Sequence, residues 1–391
     1  MTPARLLAAA ATACLLLSTG TAASAGPAAV RDVLVVGNSV AGTVSFLDGH
    51  TFANLGSLNA IPDLQQRLAE MDPIRRIAYE VVRGQAGDKF VDDAHLSPDG
   101  RTLYVSRGIL GDAAAFDVAS KRQLWRTHLE GVKADHATLS PDGTRFVISA
   151  ITSQKVQVLD TATGAPVGQF ATGTYPHENI YSADGGHIYN ASIGTTTLPK
   201  ALNWAKGARQ LTVVDARTLA PVRTYQFEYG VRPAVITPDE KTMYAQLSYL
   251  NGFVEYDLVA GRITRTVQMP FSAAGQALSP DKYPQNSAHH GMAMSGDKLC
   301  MAATIDDYTA VVSRPGLTTD GLVHYPVGAT PYWSTSSVDG RYCFVTLSAL
   351  DAVSVVDYRT AREVARVPVG DYPQRERLGV LAEDAIPTLA R

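Results

Sequence analysis

Short apolar runs alternate with polar turns along most of the chain, and the turns repeat. LSPDGRTLYVSR (96–107), LSPDGTRFVISA (139–150), YSADGGHIYNAS (181–192), ITPDEKTMYAQL (236–247), MSGDKLCMAAT (294–304) and SSVDGRYCFVTL (336–347) share one order. Each carries an apolar run, an Asp-Gly-type turn and a second run rich in Tyr, Val and Phe, which predicts a β-hairpin. A third run then ends in aspartate, at Asp48, Asp117, Asp160, Asp215, Asp257 and Asp357, and a fourth follows after a short polar turn. These aspartates read as turn formers that accept local backbone N–H groups.

The unit recurs at a fixed interval: Ser140 to Ser182 and Ser295 to Ser337 are each 42 residues. Four antiparallel strands in that length make one blade of a β-propeller. VLVVGNSVAGTVSFLDGHTFANLGSL, near the N-terminus, lacks the first strand of its unit. GDYPQRERLGVL, near the C-terminus, begins a unit that never finishes, on the Gly-x-x-Pro frame also seen in GTYPHE and GATPYW. Joining the two ends predicts an all-β, seven-bladed propeller over residues 26–391, closed by a C-terminal strand that completes the N-terminal blade. A ring closed this way leaves no open sheet edge.

With LYVSR at 103–107 as the closest copy of the repeat signature, the chain resembles the YVTN-type, YncE-like seven-bladed propellers, which are exported bacterial proteins. The resemblance spans nearly the whole chain after the leader and implies the fold. It implies little about function, since propellers also serve amine dehydrogenase heavy subunits, nitrous oxide reductase, haem d1 proteins and lactonases. No Gly-His…Trp-Asp pair of the WD40 type is present.

Three insertions interrupt the repeat, at 61–84, 193–210 and 272–288. In propeller topology all three emerge on the face where the chain leads into the inner strands, so they are expected to cover a pocket there. Pro62 and Asp72-Pro73 mark helix starts in the first insertion. Leu64, Leu68, Met71, Ile74, Ile77 and Val81 have helical apolar spacing.

Composition narrows the partners. With 34 basic and 37 acidic side chains and no basic run, the chain is not expected to bind nucleic acid. Arg5, the apolar stretch Leu6 to Leu17 and Ala23-Ser24-Ala25 read as a signal peptide over 1–25, hence a secreted or periplasmic protein. No later segment reaches the roughly 18 apolar residues of a membrane span. Without Cys-x-x-Cys-His, no haem is expected, nor a nucleotide. Cys300 and Cys343 lie in apolar runs of neighbouring repeats and could pair, but they read first as two separate buried thiols, because a disulfide makes narrow geometric demands.

Aligned on the turns, the two positions that lead into each inner strand are Asp92-Asp93, Asp135-His136, His177-Glu178, Arg232-Pro233, His290-Gly291, Tyr332-Trp333 and Gln374-Arg375, with His289 beside the fifth pair. Strand geometry supplies no reason for histidine or carboxylate at these places, and seven lead-ins converge on one axis. His136, His177 and His290, with His289 beside them and Asp92 or Glu178 completing the set, are therefore candidate ligands for a divalent metal: zinc, iron, manganese or copper. Glu178, Tyr332 and Asp135 are candidate catalytic groups, Tyr332 as a proton donor. Arg232 and Arg375 would clamp a substrate carboxylate, with Trp333 and Trp204 as an apolar wall. The expected activity is metal-assisted hydrolysis or elimination on a small anionic molecule. The competing reading is a non-catalytic platform for a ligand or protein partner. GNSVAG at 37–42 departs from a nucleophile elbow by one position. His50, His95, His128, His187 and His324 are expected at turns, between blades or on outer strands, away from the centre.

Overall fold

The computed structural model describes residues 29–390, so the expected signal peptide at 1–25 lies outside the described residues. Seven four-stranded antiparallel sheets form the ring. In the first, Pro373–Ala382 is innermost, followed by Val30–Asn38, Thr43–Asp48 and Asn54–Asn59. The inner strands of the next six are Asp93–Leu96, Ala134–Leu139, Pro176–Tyr181, Val231–Ile236, Gly291–Ser295 and Pro331–Ser336. Closure is as expected: Val30 pairs with Ala382 and the ladder runs to Asn38 opposite Pro373.

Alternating side chains of each strand face the two neighbouring blades, so the core is a series of inter-blade seams. Val35, Phe46, Val105, Phe116 and Leu381 fill the one between the first two blades. The strand-ending aspartates do the predicted work. Asp48 Oδ1 accepts the N–H groups of His50 and Thr51 at 3.0 and 2.7 Å, and Asp160 Oδ1 accepts that of Thr163 at 2.8 Å. In the Asp-Gly turns, Gly100, Gly143, Gly185 and Gly340 hold φ between 69° and 73°, a conformation that costs glycine nothing.

The inner strands carry a recurring β-bulge. Ala134 faces Ala150 and Ala137 faces Ile148, so Asp135 and His136 together oppose a single residue. The same happens at His177-Glu178, Arg232-Pro233 and Tyr332-Trp333. A bulge re-aims side chains that simple alternation would send to opposite seams.

Cys300 and Cys343 form a disulfide, with Cα atoms 6.4 Å apart, which corrects the reading of two free thiols. The reason lies in the repeat. The second strands of the two blades, Lys298–Ala303 and Tyr342–Leu347, make Phe344 the structural equivalent of Cys300, and Cys343 is one residue before it. One step along a strand turns a side chain to the other face, so the two thiols look at each other across the seam between blades 6 and 7. The first insertion also departs from expectation. Leu64, Leu68 and Met71 pack inward with Tyr79 and Val82 on Phe90, Ile109 and Leu110. Ile74, Ile77 and Val81 instead face solvent at 81%, 66% and 52% exposure.

The cross-link closes a loop of 43 residues, so Cys343→Ser under oxidising conditions is expected to lower unfolding free energy by about 2–4 kcal/mol in urea titrations. A midpoint equal to that of the oxidised wild type would remove the bond from the account. His95 gives a pH test. It bonds the Ala137 carbonyl at 3.1 Å across a seam, and burial brings its pKa down to about 4. The unfolded state then takes up a proton that the folded state refuses. Stability is full above about pH 6.5 and falls by about 3 kcal/mol as pH drops to about 4. In His95→Gln that part of the pH slope should vanish from denaturation curves taken across the window.

Candidate functional site

Lead-in segments reach the axis with unusual backbone. In the third place of the Gly-x-x-Pro frame, Tyr175, Thr330 and Tyr372 have φ of 57°, 55° and 56°. Non-glycine residues enter this left-handed region at a cost, tolerated where the surrounding structure imposes it. Tyr175 and Tyr372 both line a cavity of about 590 Å³ at the channel mouth. Its wall also includes Lys89, Asp92, Lys133, Asp135, His177, Arg232, His290, Tyr332, Gln374 and Arg375. All three insertions contribute as well, through Val82, through Ile193, Thr196 and Thr197, and through Asp281 and Tyr283 to Asn286.

Three imidazoles converge beneath this cavity. The rings of His136 and His177, on adjacent blades, are 3.9 Å apart, and His290 lies 5.4 Å from His177 and 6.3 Å from His136. His290 stacks on Tyr332 at 4.2 Å, with Tyr332 Oη 3.4 Å from its Nε2. Burial holds all three imidazoles well below their usual pKa, helped by Arg375 at His136, by Arg232 and Arg375 at His177, and by His177 and Arg232 at His290. They are neutral and can offer lone pairs.

Asp135, His136 and His177 can each offer a ligand atom within 4.8 Å of the others, a buried set able to coordinate a metal ion. The donor chemistry suits a divalent cation, since one carboxylate and two neutral imidazoles match zinc and its neighbours. His177 Nδ1 lies 2.8 Å from Asp135 Oδ2, which fixes the ring and leaves Nε2 buried without a partner. A carboxylate on the far nitrogen is the usual support of a metal-binding imidazole. His136 is contested: Arg375 Nε and Nη2 both donate to its Nε2, the first at 2.9 Å. An ion taking that lone pair displaces Arg375. The guanidinium would keep Asp92, through its carbonyl at 3.0 Å and Oδ1 at 2.7 Å.

Arg232 is buried with no carboxylate partner among the described residues. Nε donates to Ser248 Oγ at 3.1 Å, Nη2 to the Gln285 carbonyl, and Nη1 to nothing among the described residues. Lys133, by contrast, sits 3.2 Å from both Asp92 and Asp135.

Several sequence-selected residues lie elsewhere. Glu178 accepts the Ala234 N–H of the next blade at 2.9 Å and lies off the cavity wall, its carboxyl raised to about 7 by burial. Asp93 likewise accepts the Ala137 N–H at 3.1 Å while pairing with Arg377 at 2.6 Å. Strand geometry therefore does ask for carboxylates here, because the inner edge of each blade carries N–H groups with no sheet partner. His289 turns outward to Asn251 at 2.6 Å, beside Tyr308, and is not among the grouped donors. Trp333 is buried behind His136, at 5.1 Å, between Arg375 and Arg377, so it supports the ring of histidines and does not form a cavity wall. Trp204 stands 80% exposed on the second insertion, outside the cavity lining. His50, His95, His128, His187 and His324 keep to turns, seams and outer strands as expected. Lys89, Lys133, Tyr175 and Tyr372 escaped the sequence reading. For three of them the signal was their shared place two residues after Gly131, Gly173 and Gly370.

The first insertion is tied down by buried charge. Arg67 Nε reaches Asp112 Oδ2 at 2.8 Å, Arg107 Nε reaches Asp112 Oδ1 at 2.6 Å, and Arg107 Nη1 reaches Asp63 Oδ1 at 2.5 Å. Arg126 adds a second bond to Asp63 at 2.7 Å. Both ends of the helix Leu64–Ala69 are thereby fixed to the second blade.

Fold and site together define a seven-bladed β-propeller with a buried Asp-His-His cluster under a cavity at the mouth of its axis. No protein-family model matches the chain, and no curated protein matches it. Among solved structures, it is similar to hydrazine synthase of Kuenenia stuttgartiensis, with a TM-score of 0.54 and 16% identity over 73% of this chain and 88% of that one. It is also similar to the dihydro-heme d1 dehydrogenase NirN in complex with DHE, with a TM-score of 0.55 and 14% identity over 95% of this chain and 78% of that one. These likenesses establish the propeller fold.

Asp112→Ala strands Arg67 and Arg107 in the interior, which is expected to cost about 3–5 kcal/mol and to release residues 61–72. Hydrogen exchange over that segment measures it. Unchanged protection would mean that the apolar contacts alone hold the insertion.

Proposed function

We propose that the cavity carries out metal-assisted hydrolysis or elimination on a small anionic molecule. The observation that carries this reading is the pairing of two unmet demands in one space. Arg232 is a buried cation without a counter-anion, and His177 presents a free Nε2 beside His136 and Asp135. Burying an unpaired charge is costly, so a cavity that keeps one is suited to a ligand of opposite sign.

A divalent ion held by Asp135, His136 and His177 would supply Lewis-acid polarisation of the substrate. The protein's own groups do the rest. Arg232 takes the substrate's carboxylate or equivalent anionic group, and Arg375, when displaced from His136, is a second donor to it. Asp135 holds the His177 tautomer through Nδ1. Tyr332, whose burial raises its pKa and keeps the hydroxyl protonated, can donate a proton. Val82, Ile193 and Tyr283, one from each insertion, limit access of water from above.

The apolar side chains that the insertions expose, Ile74, Ile77 and Trp204, favour a second reading in which the mouth is a platform for a protein partner. His177→Ala would impair only the first role and Trp204→Ala only the second.

Protein purified without added metal is expected to carry a stoichiometric divalent ion by elemental analysis, lost in His177→Ala with the fold intact by circular dichroism. Metal-free protein that also fails to take up zinc, manganese or copper in calorimetric titration would end the metal reading.

A further inference from the structure

The cavity holds two lysines in opposite circumstances. Lys133 Nζ is saturated: it contacts Asp92, Asp135 and the Ala134 carbonyl, each at 3.2 Å. Lys89 Nζ lies 3.4 Å above the centre of the Tyr372 ring and has no hydrogen-bond or ion-pair partner among the described residues. The carboxylates on either side of it in sequence are already taken, since Asp88 pairs with Arg83 and Asp92 is held by Lys133 and Arg375.

Its backbone is fixed on both sides. The Lys89 carbonyl accepts the Ile109 N–H at 3.0 Å, and the Phe90 N–H bonds the Ser39 carbonyl at 2.8 Å. Gly108 permits this approach, because a Cβ there would stand 2.4 Å from the Lys89 oxygen. A fixed backbone thus delivers an uncommitted amine into the cavity.

We propose that Lys89 is a nucleophile of this cavity, condensing through Nζ with the carbonyl carbon of a small oxo acid to form an imine. The choice of an oxo acid rests on the reading of the cavity as an anion site, with Arg232 receiving the carboxylate. The nucleophilicity of Lys89 does not rest on it. In the first step the Nζ lone pair forms the C–N bond while the carbonyl π pair moves to oxygen and a proton passes from nitrogen to that oxygen. In the second, the hydroxyl leaves as water with a proton from solvent, and the nitrogen lone pair completes the C=N bond. The remaining N–H proton passes back to solvent water, so the net change is amine plus carbonyl to imine plus water. No oxidant or reductant is needed. Burial, reinforced by the charges of Arg375 and Lys133 and opposed by Asp92 and Asp371, brings the Lys89 pKa down to about 7. A substantial neutral fraction therefore exists at neutral pH, as for other lysines activated by desolvation beside a second cation.

The test is reductive trapping at pH 7 with glyoxylate and cyanoborohydride, read by peptide mass spectrometry. Lys89 is expected to carry the carboxymethyl adduct at least about ten-fold faster than the exposed Lys241 and Lys282. Lys89→Ala should lose that adduct alone, and His177→Ala should retain it, which separates this outcome from that of the metal reading. A neutral aldehyde, propanal, run in parallel isolates the anion preference: equal preference for Lys89 with both probes would keep the nucleophile and reject the oxo acid. Labelling at Lys89 no faster than at Lys241 and Lys282 would overturn the proposal.

Discussion

A propeller's inner strands each turn one edge toward the axis, where no further strand can pair with it. The N–H and C=O groups on those seven edges must still be satisfied, and this constraint governs the centre of the molecule. Side chains from neighbouring blades meet it. Asp93 accepts from Ala137 and Glu178 from Ala234, while Asn179 donates to the His136 carbonyl and Thr335 to that of Glu376. Ser106, on a second strand, and Ser348, just after one, reach the Asp135 and Pro373 carbonyls. Each bond also crosses from one blade to the next, so satisfying the edges and stitching the ring are a single act.

That accounting separates scaffold from site. Once the lacing residues are set aside, the polar groups left without partners at the mouth include, among the described residues, His177 Nε2, His136 Nδ1, His290 Nδ1, Arg232 Nη1 and Gln374 Oε1. His177, His290 and Arg232 line the cavity with His136 beneath it, and bulges turn all of these but His290. Two adjacent residues of one strand thus divide the labour: His177 looks into the cavity and Glu178 holds the next blade. The buried ion network around Asp112 and the disulfide between blades 6 and 7 hold other parts of the scaffold in place.

The ring and its closure were legible because the repeat writes them in a two-residue alternation and a 42-residue period, both local patterns. The convergence of His136, His177 and His290 was legible too, since equivalent positions of a closed ring must meet at its axis. Misplaced residues share one cause, which is that direction is invisible in register alone. His289 and His290 are neighbours, yet one turns to Asn251 and the other to the cavity. Ile74 and Tyr79 belong to one amphipathic helix whose exposed stripe could not be told from its buried one.

The sequence by itself determined the architecture, because strand alternation, turn chemistry and a constant period specify seven equivalent modules whatever lies at their centre. Only the tertiary structure decided which polar groups at the axis are consumed by the backbone and which stay free. That division depends on contacts between blades some forty residues apart, and on bulges that set where each side chain points.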